Sequence, residues 1–176
     1  IRDGRVTGVQ TCALPIYCAH TVAALASDDV VLSLIDTVHV VDQGTDLVQD
    51  QPEFADARAR MGDTLVYLRQ PNLGGAGGFT RGLYEVTASR SGVDVILMDD
   101  DILCEPETVL RLSAFANVTA QPTLVGAQML FLLNPDYLNV GAEEVDFLHL
   151  QHGRTVGKAL SNKSMIKKNQ ERRVDA

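Results

Sequence analysis

The sequence predicts an α/β fold: a mainly parallel, Rossmann-like sheet flanked by helices. Three observations lead there. Short β-branched apolar runs alternate with partly amphipathic stretches along most of the 176 residues. Connections of that length require crossovers, which set neighbouring strands parallel and turn right-handed. Three polar or glycine-rich clusters each follow a strand run directly, at the carboxyl ends where open α/β sheets collect ligands.

The elements follow in order. Residues 1–16 show neither helical nor strand periodicity. They also lack the charged start, long apolar centre and small-residue cleavage site of a signal peptide. Residues 1–17 resemble translated sequencing-adapter read-through, so they are set apart as non-native and 18–176 carry the fold argument. Cys18 to about Leu34 reads as a helix, with Val22, Leu25, Val30 and Leu32 among polar residues and an interruption near Asp28-Asp29. Thr37–Val41 is a β-branched strand ended by Asp42-Gln43-Gly44. Pro52 opens a helix that runs to Met61 and closes at Gly62. Thr64–Leu68 is the next strand, Pro71–Gly78 a glycine-rich loop and Phe79–Ser89 a helix. Val93–Met98 is the most apolar strand, Glu105–Phe115 the helix after it, and Thr123–Met129 one further strand.

Composition excludes several classes. Apolar residues make up 45% and charged residues 22%, which argues against global disorder. No window approaches the 18 apolar residues of a membrane span. A net charge of −8 argues against nucleic acid as a partner. That charge is uneven: residues 1–157 hold nine arginines against 21 acids, whereas 158–176 hold six basic residues against two acids. The basic tail suits either a solvated segment or peripheral contact with an anionic membrane surface. Cys12, Cys18 and Cys104 have no metal-type spacing, and His149 and His152 lack a third ligand nearby.

The chemistry centres on Asp99-Asp100-Asp101. Side chains alternate along a strand, so Asp99 and Asp101 can share a face while Asp100 points elsewhere. Adjacent carboxylates repel, and a divalent cation between them removes that cost. Hard oxygen ligands suit Mg²⁺ or Mn²⁺, completed by substrate phosphate. A solvated acidic turn before the helix near Glu105 is the competing account. In Asn72-Leu-Gly-Gly-Ala-Gly-Gly78, four glycines permit close backbone approach and positive φ where the loop opens onto a helix N-terminus, and Asn72 offers an amide to a nucleotide or sugar hydroxyl. A plain flexible connection has the same composition. Arg81 is placed to meet phosphate or solvent. Asp42 can accept from a base or ribose, or simply form the turn.

Together, Val41-Asp42-Gln43-Gly44, Gln70-Pro71-Asn72-Leu-Gly-Gly-Ala-Gly-Gly-Phe-Thr-Arg81 and Leu97-Met-Asp-Asp-Asp-Ile102 with Glu105-Pro106-Glu107 resemble the galactofuranosyltransferases that polymerise mycobacterial-type cell-wall galactan. Leu124–Leu130 and Glu143-Glu144-Val145-Asp146 extend the resemblance. It implies an inverting, GT-A-fold glycosyltransferase, here incomplete. Such an enzyme moves galactofuranose from UDP-galactofuranose to a lipid-linked galactan acceptor at the cytoplasmic face of the membrane. The resemblance places Asp42, Asn72, Gly74, Gly75, Asp99 and Asp100 with the donor. It assigns Asp99 and Asp101 to Mn²⁺ or Mg²⁺, and Glu143 to the acceptor. The family's Trp-Asp-Asp segment with the general base, and its later metal-site histidine, have no counterpart, and the chain contains no Trp. The parent protein is therefore expected to be the enzyme and this polypeptide an inactive piece of it. Another nucleotide-sugar transferase of the same fold, or a non-catalytic nucleotide-binding piece, are the alternatives.

Overall fold

The computed structural model describes residues 6–12, 15–89, 91–140, 145–146 and 151–152. The chain divides into two compact units, Ile1–Thr123 and Leu124–Ala176. The first contains strands β1 (Val6–Cys12), β2 (Ile35–Asp42), β3 (Leu65–Arg69) and β4 (Asp94–Met98). All pair in parallel, in the spatial order β3-β2-β1-β4. Helices α1 (Pro15–Ser27), α2 (Asp29–Leu34), α3 (Pro52–Met61), α4 (Gly74–Ser89) and α5 (Pro106–Val118) connect and cover them.

Strand β1 corrects the sequence expectation, which found no periodicity in residues 1–16. It lies between β2 and β4, paired on both edges. Interior strands of a parallel sheet need no polar alternation, so periodicity is a poor guide there. The β-branched Val6, Thr7, Val9 and Thr11 suit the extended backbone regardless. β2 shows the same rule directly, since Val38, His39, Val40, Val41 and Asp42 are buried without a break.

The interruption expected near Asp28 is a helix boundary. Asp28 caps α2, its Oδ1 accepting from the N–H groups of Val30 at 2.9 Å and Val31 at 3.0 Å. Helix α3 has Pro52 in its first turn and stops at Gly62, as its sequence predicts. Val22 and Leu25 of α1, Val31 of α2, Val38 and Val40 of β2 and Phe54 of α3 meet in one core with Leu65 and Met98. Burying each of the larger side chains contributes about 2 kcal/mol, whereas the exposed Arg60–Asp29 ion pair adds little.

Two further expectations change. Helix α4 begins at Gly74, five residues before Phe79, so most of the glycine-rich loop is the first turns of a helix. The strand expected over Thr123–Met129 is absent except at its last residue. Instead β5 (Met129–Phe131) pairs antiparallel with β6 (Asn134–Val140), and the residues before Met129 have no ladder partner. β7 (Val145–Asp146) pairs with β8 (Gln151–His152).

Candidate functional site

Parallel register places the carboxyl ends of the strands on one rim. Asp42 stands opposite Cys12 on β1 and Arg69 on β3, and Met98 stands opposite Gln10. The acidic triplet that follows Met98 therefore emerges beside the Asp42 end of β2, with β1 between them. Two inter-strand steps separate the two ends by about 10 Å, a span that a nucleoside diphosphate covers.

At the β2 end, Asp42 is fully buried and its carboxylate is used by the protein. Oδ1 accepts from the Gly44 N–H at 2.8 Å; Oδ2 accepts from the Val48 N–H at 3.0 Å and from the Tyr67 hydroxyl at 2.5 Å. The turn-forming account of Asp42 is thus realised. Its backbone carbonyl accepts from the Gln70 N–H at 3.1 Å. Gln43, also buried, reaches the next cluster: Nε2 donates to the Gly74 carbonyl at 3.1 Å, and Oε1 accepts from Gln70 Nε2 at 2.9 Å and the Leu73 N–H at 3.0 Å.

Those bonds explain how a glycine-rich segment becomes helical. Asn72 Oδ1 accepts from the Gly74 N–H at 2.9 Å, closing an Asx turn at the helix entrance. Gly74 has φ of +70°, which side-chain-bearing residues rarely adopt. A Cβ at Gly77 would run into the Cβ of Leu73. Asn72, Gly74 and Gly75 are all exposed at this entrance, where helix N–H groups face incoming charge. Arg81 pairs with Glu85 at 2.6 Å instead of standing ready for phosphate.

At the β4 end, Asp99 and Asp101 are exposed and Asp100 half-buried. The turn is anchored from α1, where the buried Thr21 hydroxyl donates to the Ile102 carbonyl at 2.8 Å. Partial burial, then the charges of Asp101 and Asp100, push the Asp99 carboxyl above the usual carboxylate range. Among the described residues, no group of three or more His, Cys, Asp or Glu side chains forms a metal cage. Mg²⁺ and Mn²⁺ need none: one or two carboxylates suffice when phosphate and water fill the shell. Like-charge crowding at Asp99 is what a cation relieves, so the residues fit one. Glu143, assigned to the acceptor by resemblance, lies outside the described residues.

Sequence reasoning missed Gln43, Tyr67 and Thr21. Gln43 had a signal, its place between Asp42 and Gly44 at a strand end. A tyrosine within a strand and a threonine within a helix gave none.

A parallel α/β sheet carrying a glycine-rich helix entrance and an aspartate triplet on one rim has the architecture of a GT-A glycosyltransferase. The chain belongs to the family described as glycosyltransferase like family 2, whose model matches residues 6–166. It is 45% identical over 145 residues to galactofuranosyltransferase GlfT2 of Mycolicibacterium smegmatis, covering 82% of this chain and 22% of that protein. It is 40% identical over 139 residues to GlfT2 of Mycobacterium tuberculosis, covering 79% and 22%. The chain thus spans about a fifth of the length of these relatives. Among solved structures, S. aureus TarS (residues 1–349) aligns with a TM-score of 0.49 and 22% identity, covering 64% of this chain and 32% of that one.

Proposed function

We propose that this chain is the donor-binding part of an inverting, metal-dependent galactofuranosyltransferase. The donor is UDP-galactofuranose and the acceptor a lipid-linked galactan, handled at the cytoplasmic face of the membrane. The observation that carries the reading is the 40–45% identity to GlfT2 over about four-fifths of the chain. The rim gives that likeness a chemistry. Asn72 and the Asp42-Gln43 turn border the nucleoside end. The first-turn N–H groups of α4 after Gly74, whose own N–H is held by Asn72, face the diphosphate, and Gly74 and Gly75 leave room for it to approach. Asp99 and Asp101 hold Mn²⁺ or Mg²⁺, with Asp100 alongside. When bound, the cation neutralises charge that develops on the departing UDP. Inversion also needs a base to take the acceptor hydroxyl proton as that oxygen attacks the anomeric carbon. The resemblance assigns that base to a Trp-Asp-Asp segment outside the described residues, so the donor side of the reaction is the part these residues can be tested for.

Calorimetric titration with UDP, with and without Mn²⁺, tests the reading. Binding should require Mn²⁺ and weaken at least tenfold in Asp101→Ala, the scale of one lost charge-assisted contact. Metal-independent binding, or binding indifferent to Asp101, would contradict it.

A further inference from the structure

We propose that Tyr67 and Asp42 are positioning residues that act through Gln43 on the loop carrying Asn72; the proposal rests on the donor-site reading above. The chain of contacts starts in the core. Phe54 of α3 meets the Tyr67 ring edge-on, with centroids 5.6 Å apart and planes at 61°, and this fixes the ring on β3. The hydroxyl of Tyr67 then donates to Asp42 Oδ2, the oxygen that also receives the Val48 N–H. Asp42 Oδ1 holds the Gly44 N–H, so one buried carboxylate closes both ends of the turn from Gly44 to Val48.

Gln43 stands at the base of that turn and spends both ends of its amide on residues 70–74. The Asx turn of Asn72 and the start of α4 are therefore set by a side chain from the neighbouring strand end. Asp42 reaches a nucleotide only through this path, because its carboxylate is fully buried and already meets three protein donors. Its effect on donor affinity is indirect: it keeps Asn72 and the Gly74–Gly75 backbone in the geometry that receives a nucleoside diphosphate. Preformed geometry of this kind spares the ligand the ordering of the loop.

Amide hydrogen exchange on the 176-residue chain tests this without relying on catalysis. In Tyr67→Phe, the amides of Gly44, Val48, Leu73 and Gly74 should exchange about tenfold faster, while those inside α1 and α3 keep their protection. Gln43→Asn, whose shorter side chain cannot span the gap, should accelerate Leu73 and Gly74 but leave Gly44 and Val48 unchanged. That asymmetry gives the relay its direction. UDP affinity in Mn²⁺ should fall about tenfold in both variants. The preference for UDP over CDP should persist in Asp42→Asn, since the carboxylate does not read the base.

Unchanged exchange at Leu73 and Gly74 in either variant overturns the proposal, as does acceleration spread through α1 and α3. So does a UDP preference that collapses in Asp42→Asn. If the unmodified chain binds no UDP, the donor-site reading fails, and the exchange pattern alone decides whether the relay exists.

Discussion

The two ends of the rim are built on opposite principles. At the end of β2, an acidic side chain is buried and surrounded by protein donors: Gly44, Val48 and Tyr67 all give hydrogen bonds to Asp42. At the end of β4, three acidic side chains crowd together near solvent, and their mutual repulsion helps raise the Asp99 carboxyl. One end is consolidated before any ligand arrives. The other concentrates negative charge that a cation would complement. On the proposed reading, such a rim would fix the nucleoside side through the chain's own bonds and leave metal and diphosphate to complete the electrostatics.

The contrast can be broken most sharply at Asp42. Asp42→Ala strands two backbone N–H groups and a tyrosine hydroxyl, and should cost about 3 kcal/mol in a denaturant melt. A loss below about 1 kcal/mol would mean that the β2 end is not consolidated by this carboxylate. Gly77→Ala comes next. The new Cβ must displace Leu73, so about 1–2 kcal/mol of stability should go, with a weaker Mn²⁺–UDP signal. Unchanged stability would show that the helix entrance yields freely.

Thr21→Val probes a tether at the acidic end. Losing the bond to the Ile102 carbonyl should cost about 1 kcal/mol. The smallest effect is expected at Asp99 itself, and its sign distinguishes the two ends. A carboxyl raised in the folded state contributes full stability below its ordinary titration range, and that contribution is lost as pH rises through the raised folded value. Asp99→Asn removes the loss. It should therefore match the parent in strong acid and melt about 1–2 °C higher near neutral pH without metal. A lower neutral melting temperature would place Asp99 with Asp42, as an acid the fold depends on.

Much of this was legible in the sequence, and the exceptions have physical causes. β2 announced itself through Val38, Val40 and Val41, and α3 through Pro52 and Gly62, because local chemistry and tertiary position agree there. β1 was hidden because Thr7, Gly8, Gln10 and Thr11 break the near-continuous apolar run that usually betrays an interior parallel strand. The early start of α4 was hidden because glycine has poor helix propensity; a buried glutamine from another strand supplies the bonds that composition could not reveal. Thr123–Met129 has strand-like residues but lacks a partner for nearly all of its length. At the site, the positions of Asp42, Asn72 and Asp99–Asp101 were readable from strand ends and motif. What each side chain touches was not, since Tyr67 and Thr21 come from distant segments.

On the proposed reading, a divalent cation joins a nucleoside diphosphate to Asp99 and Asp101 on this rim. Paramagnetic broadening of backbone amides by Mn²⁺, read by NMR with UDP present, tests it most directly. Signal should be lost strongly around residues 99–103 and 72–76, dependent on UDP and abolished in the Asp99→Asn, Asp101→Asn double variant. Broadening centred elsewhere in the chain, or persisting in that variant, would contradict it.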